Sequence, residues 1–135
     1  MRLTHVEGAV LAAGCASDAV RRVHDALALC LEHTRVCDGS ADVESVCAAL
    51  ASCKAHALLV ASAELGDLEP RTALALIAGM PARGGPDLIA FEREGRADLR
   101  LALFRSDALA RVRAQRALAD CASALDALLV PATWL

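Results

Sequence analysis

The fold turns on two consecutive stretches, SDAVRRVHDALALCLEHTRVC at residues 17–37 and ADVESVCAALASCKAHALLVASAEL at residues 41–65. In the first, Val23, Ala26, Cys30, His33 and Cys37 alternate spacings of three and four, the seam of an amphipathic helix. In the second, Val46, Leu50, Cys53, Ala57 and Val60 trace a comparable stripe. Between them stands Asp38-Gly39-Ser40, where glycine favours the left-handed end of one helix and serine caps the next. So short a connection predicts an antiparallel helical hairpin.

Working outward, Thr4-His-Val-Glu7 has the form of a capping box and opens a first helix ending near Gly14. Pro70 suits the first turn of a fourth helix, which stops before Pro81, and Met80 to Pro86 reads as a loop. Leu88, Ile89 and Phe91 suit a helix, whereas Leu99, Leu101 and Leu103 alternate as an edge strand would. The segment Asp87 to Arg105 is read as two short helices in preference to a short β-hairpin near 88–104. Ser106 caps a last helix through Leu129, with Leu109, Val112, Ala117, Cys121, Leu125 and Leu128 inward. The expectation is an all-α single domain over residues 1–135, a bundle of five or six helices built on that hairpin.

Composition sets further bounds. The chain has 135 residues, enough to bury a core without disulfide or metal staples. It is 56% hydrophobic but 2% aromatic, with alanine and leucine filling the apolar positions of closely approaching helices. Lys54 is the only lysine and asparagine is absent, a bias that points to a GC-rich bacterial or viral genome. The net charge of -3 gives no reason to expect nucleic acid or anionic membrane as partner. Arg93, Arg96 and Arg100 would share a helical face, continued by Arg105, Arg111, Arg113 and Arg116. Glu92–Arg96 and Asp107–Arg111, however, are i,i+4 pairs of a solvated face, with no aromatics interleaved to stack on bases. Leu11-Ala-Ala-Gly-Cys15 has the form of a lipoprotein cleavage box, but His5 and Glu7 interrupt the apolar segment a signal peptide needs. The expected setting is therefore cytoplasmic (bacterial, or the host-cell interior if viral), with six cysteines held reduced.

The chemistry on offer is a repeated doublet, Cys30-Leu-Glu-His33 and Cys53-Lys-Ala-His56. On helices, each would present a thiol and an imidazole on one face. In the antiparallel hairpin the two histidines diverge to about 9–13 Å along the axis, at about 1.5 Å rise per residue. Zinc ligands lie about 2.0–2.3 Å from the ion, so one Cys2His2 zinc site would be strained. Cys30 and Cys53, with His33 or Cys47, suit a soft ion such as Cu(I) better. The spacing Cys30-x-x-His33-x-x-x-Cys37 resembles the thiol-lined helices of four-helix-bundle copper-storage proteins. The residues themselves suggest, as a second reading, a cytosolic metal-binding bundle using Cys30, His33, Cys37, Cys47 and Cys53, with Cu(I) or Zn as cofactor. The resemblance covers about residues 25 to 60, and most equivalent positions here are Ala, Leu or Val. Leu65-Gly-Asp67 followed by Ala73-Leu74 and Pro81 also resembles one tetratricopeptide hairpin, with its alanine two residues late and no second copy.

Catalytic signatures are missing. His-Glu-x-x-His, the Gly-rich phosphate loop and the nucleophile elbow do not occur. The leading expectation is a non-enzymatic protein-interaction module: an adaptor, chaperone or assembly factor, bound to a protein partner or to its own copies. Its anchors would be Leu58, Leu59 and Phe104 on apolar helix faces, with Trp134 on the C-terminal tail. The Cys/His metal-binding bundle is the alternative.

Overall fold

The computed structural model describes residues 2–81 and 85–131, and its centre is a strand. The run ALLVAS forms β3 (Ala57–Ser62), buried at every position. Ala57, Leu59 and Ala61 face one hydrophobic core, while Leu58 and Val60 face a second. A strand covered on both faces has no polar side to alternate with, so it reads as an unbroken apolar run. Its flanking partner β1 (Val6–Leu11) divides in the same way, with Val6 and Val10 toward the first core and Ala9 and Leu11 toward the second.

Six strands make one mixed sheet. They are β1, β2 (Thr34–Cys37), β3, β4 (Leu88–Arg93), β5 (Arg96–Arg105) and β6 (Ala127–Pro131), in the spatial order β2-β1-β3-β5-β4-β6. All run parallel except β5, which is antiparallel to both of its neighbours. Helices cover both faces. On the first lie α1 (Ser17–Ala28) and α3 (Pro70–Ile77), burying Val23, Leu27, Leu76 and Ile77. On the second lie α2 (Val43–Ser52), α4 (Leu109–Arg113) and α5 (Leu118–Ala124), burying Val46, Leu50, Val112 and Cys121. At about 1.5–3 kcal/mol for each fully buried leucine, the two cores supply the main cohesion.

These observations overturn the all-α helical bundle. The helical seam read through residue 37 ends at Ala28; Leu31 is fully buried and forms an isolated parallel bridge to Leu3. The β-branched Thr34 and Val36 then alternate with Arg35 and Cys37 in a strand. The helix read over 41–65 likewise stops at Ser52, and Asp42 rather than Ser40 caps it, accepting from the Ser45 N–H at 2.7 Å. Residues 6–11, read as helix, are β1. Over 88–105 a β-hairpin takes the place of two short helices. Its turn is Glu94-Gly95, both at positive φ (54° and 77°), the pairing a two-residue hairpin turn needs. The single helix read from 106 to 129 is α4, α5 and the edge strand β6. Pro70 does open α3.

Polar clasps fix the layers. Glu7 on β1 meets Arg35 on β2 at 3.2 Å, and its other oxygen accepts the Lys54 N–H at 2.9 Å. Arg35 also donates to the Ala49 carbonyl at 2.6 Å, so the last turn of α2 is tied to two strands. Gly8 lets β1 and β2 approach: a Cβ there would stand 3.0 Å from Thr34 Oγ1 and 3.1 Å from Leu31 Cδ1. At the opposite end of the sheet order, buried Asp87 accepts from Arg105 at 3.1 Å and from Arg111 at 2.8 and 3.0 Å. The β4–β5 register jumps from Ala90↔Ala102 to Phe91↔Asp98, a bulge on β5. There Asp98 accepts from Arg100 at 2.7 and 2.9 Å and lies 3.2 Å from Arg93.

Candidate functional site

The doublets do not converge. Cys30, just beyond α1, is buried in the first core and its thiol points at the carbonyls of Ala26 (3.8 Å) and Pro70 (3.7 Å). Cys47 on α2, Cys37 at the end of β2 and Cys53 after α2 all belong to the second core, across the sheet. Cys53 donates to the Ala55 and Ala57 carbonyls, both at 3.7 Å. His33 stands exposed before β2, beside a cavity of about 310 Å³ that Thr34 and Gly8 also line. Among the described residues no three His, Cys, Asp or Glu side chains are grouped to hold a metal ion.

Burial pushes Cys30, Cys47, Cys53 and Cys121 above the ordinary thiol value, although Arg113 beside Cys47 opposes the shift there. A protonated, desolvated thiol is a packing group. Three of the four proposed anchors are packing groups too. Leu58, Leu59 and Phe104 are wholly enclosed in the sheet, and Trp134 lies outside the described residues.

In an open α/β sheet, ligands favour the crevice at the carboxyl ends of the strands, where the winding reverses. Here that point lies between β1 and β3. Ala12, Ala13 and Gly14 follow β1, and the Ser62 hydroxyl at the end of β3 already accepts from the Glu64 N–H at 3.2 Å. A cavity of about 660 Å³ between α2 and α4 is rimmed by exposed Asp42, Glu44, Arg113 and Arg116 around the Cys47 thiol. Among the described residues, no nucleophile is hydrogen-bonded to a side-chain base in either place.

Among the described residues the sheet has two edge strands, β2 and β6, and β2 is the one flanked by cavities. Gly8 N donates to the His33 carbonyl and Ala12 N to that of Cys37, both at 2.9 Å, so alternate residues 33, 35 and 37 turn toward β1. The N–H and C=O groups of Thr34 and Val36 therefore point away from the sheet, and among the described residues no strand pairs with them. A cavity flanks this edge on each side. Toward α1, about 580 Å³ is lined by Ala12, Cys15, Val20 and Val36, with Ser17, Arg21 and His24 at the rim. Toward α2, about 390 Å³ is bordered by Arg35, Cys37, Asp38, Glu44, Ser45 and Ser52. This split follows from the pleat, because Val36 shares the face of Val10 while Arg35 and Cys37 share that of Ala9 and Leu11.

None of these edge residues was singled out from the sequence as a docking strand. The signal that could have found them is the β-branched pair in Thr34-Arg-Val-Cys37, placed just ahead of the Asp38-Gly39 turn.

Comparison with known proteins adds the fold. No family model matches the chain, and no curated protein matches it. The crystal structure of protein Aq1419 from Aquifex aeolicus VF5 is similar, with a TM-score of 0.76 at 11% identity, over 95% of this chain and 86% of that one. At that identity the likeness shows a shared α/β architecture.

Proposed function

We propose that this chain is a non-enzymatic protein-interaction module that takes an extended peptide segment by strand addition to β2. One observation carries the reading: an edge strand with outward N–H and C=O groups has a cavity for side chains on each face, one toward α1 and one toward α2. Strand addition draws affinity from main-chain hydrogen bonds and specificity from pockets that take alternate side chains, and β2 supplies both elements. Natural edges are usually blunted by lysine, proline or a cover. The other edge, β6, ends in Pro131, whereas β2 has neither lysine nor proline, and its one charged side chain, Arg35, is engaged by Glu7. The mode differs from the apolar helix faces expected from sequence, and an adaptor, chaperone or assembly factor remains the kind of role it suits. Six free thiols support the cytoplasmic setting.

The test is selection from a displayed library of random linear peptides on wild-type protein and on Val36→Pro. Proline is tolerated on a sheet edge where its missing N–H faces outward, so this variant keeps the fold and loses one docking bond. Peptides enriched on wild type should fail to bind Val36→Pro. Equal retention by both proteins would overturn the reading.

A further inference from the structure

The two troughs beside β2 differ in chemistry, and that difference defines the partner. We propose that the segment docking on β2 alternates apolar with basic side chains, the apolar ones turned toward α1 and the basic ones toward α2. This rests on the strand-addition reading above and goes further by naming the recognition chemistry.

On the α1 side the walls are Ala12, Cys15, Val20 and Val36. The two basic side chains at its rim each meet a carboxylate, Arg21 that of Asp18 at 3.4 Å and His24 that of Asp25 at 3.2 Å. What remains for a guest side chain is an apolar recess with little net charge.

On the α2 side the balance is acidic. Arg35 is already occupied, 3.2 Å from Glu7 and 2.6 Å from the Ala49 carbonyl. Asp38 and Glu44 are exposed and, among the described residues, neither forms an ion pair. Ser45 and Ser52 add hydroxyls to the same wall. A lysine or arginine from the incoming strand would find two carboxylates there, and an acidic residue would meet like charge.

Because side chains of a strand alternate faces, one segment serves both troughs only if its own pattern has period two. An apolar–basic alternation satisfies that condition in either chain direction. An apolar–acidic one places repulsion on the α2 side in the register that fills the α1 recess.

Two acetylated, amidated peptides test this, Thr-Val-Lys-Val-Lys-Val-Thr and Thr-Val-Glu-Val-Glu-Val-Thr, each titrated into 15N-labelled full-length protein. The lysine peptide should bind about tenfold more tightly at low salt, in keeping with two screened charge contacts. That preference should collapse in an Asp38→Asn/Glu44→Gln variant and in high salt, while the amides of Thr34 and Val36 still shift. Equal or tighter binding of the glutamate peptide, with those amides still shifting, overturns the charge assignment and leaves strand addition standing. If neither peptide moves the Thr34 and Val36 amides, both fail. Sedimentation that shows β2-dependent self-association, abolished by Val36→Pro, would make a second copy the occupant and overturn the proposal.

Discussion

Val36 pairs with Val10 in the parallel β1–β2 ladder, yet Val10 is fully enclosed and Val36 is 48% exposed. Two valines on the same ladder rung thus live in different surroundings, because β1 has a neighbour on each side and, among the described residues, β2 has one. Val36 places exposed apolar surface on an unpaired edge, as Leu128 does on β6.

Replacing Val36 by lysine should therefore change stability little, within about 0.5 kcal/mol, since the side chain gives up no core contact. Urea unfolding checks this. The same substitution should abolish peptide capture, because a lysine on the edge blocks strand addition.

Leu59 offers the contrast. It was read from sequence as a surface anchor and is wholly buried, so Leu59→Ala should cost about 2–5 kcal/mol in urea or thermal unfolding. A loss below 1 kcal/mol would be at odds with its place on a central strand.

Glu7→Gln tests the clasp behind the docking edge. Its carboxylate is largely enclosed and serves both Arg35 and the Lys54 N–H. Loss of the charge leaves Arg35 without its ion-pair partner, and the expected destabilisation is about 1–3 kcal/mol. Asp87→Asn should cost about 2–4 kcal/mol, because Arg105 is itself mostly buried and Asp87 holds two arginines.

The pH dependence has two limbs. Asp98 is held below the ordinary carboxylate value of 3.8, chiefly by its hydrogen bonds from Arg100. Its contribution is present above that value and is lost as pH falls through the lowered one. Asp98→Asn should flatten this acid limb in urea midpoints measured from pH 7 to 2. Burial raises Cys30, Cys47, Cys53 and Cys121 above 9.0, so their contribution is full below 9.0 and lost as pH rises through the raised values. With no tyrosine and one lysine in the chain, thiols dominate the alkaline limb, and Cys121→Ala should make it shallower.

Parts of this architecture were legible in the residues. Pro70 marked the start of α3, and Asp38-Gly39-Ser40 marked the end of an element, though that element was a strand. The segment Ala57 to Ser62 was not legible as a strand by periodicity, because an apolar run buried on both faces fits a helix stripe equally well. Leu58 and Val60, turned to one core, and Leu59 and Ala61, turned to the other, are neighbours whose separation only the sheet reveals. Cys30 and Cys53 misled for the same reason. Their matching spacing to histidine placed them on one imagined seam, while the β1–β3 sheet stands between them. In the candidate site, Val36 was hidden because edge status depends on strand order, a long-range property.

Amide hydrogen exchange on β2, with and without the lysine-containing peptide, tests the central claim most directly. In the free protein Thr34 and Val36 should exchange fast while Arg35 and Cys37, bonded to β1, exchange slowly; saturating peptide should protect Thr34 and Val36. Slow exchange at Val36 in the free protein, or fast exchange at Val36 when the peptide is bound, would contradict an open strand that recruits its partner by pairing.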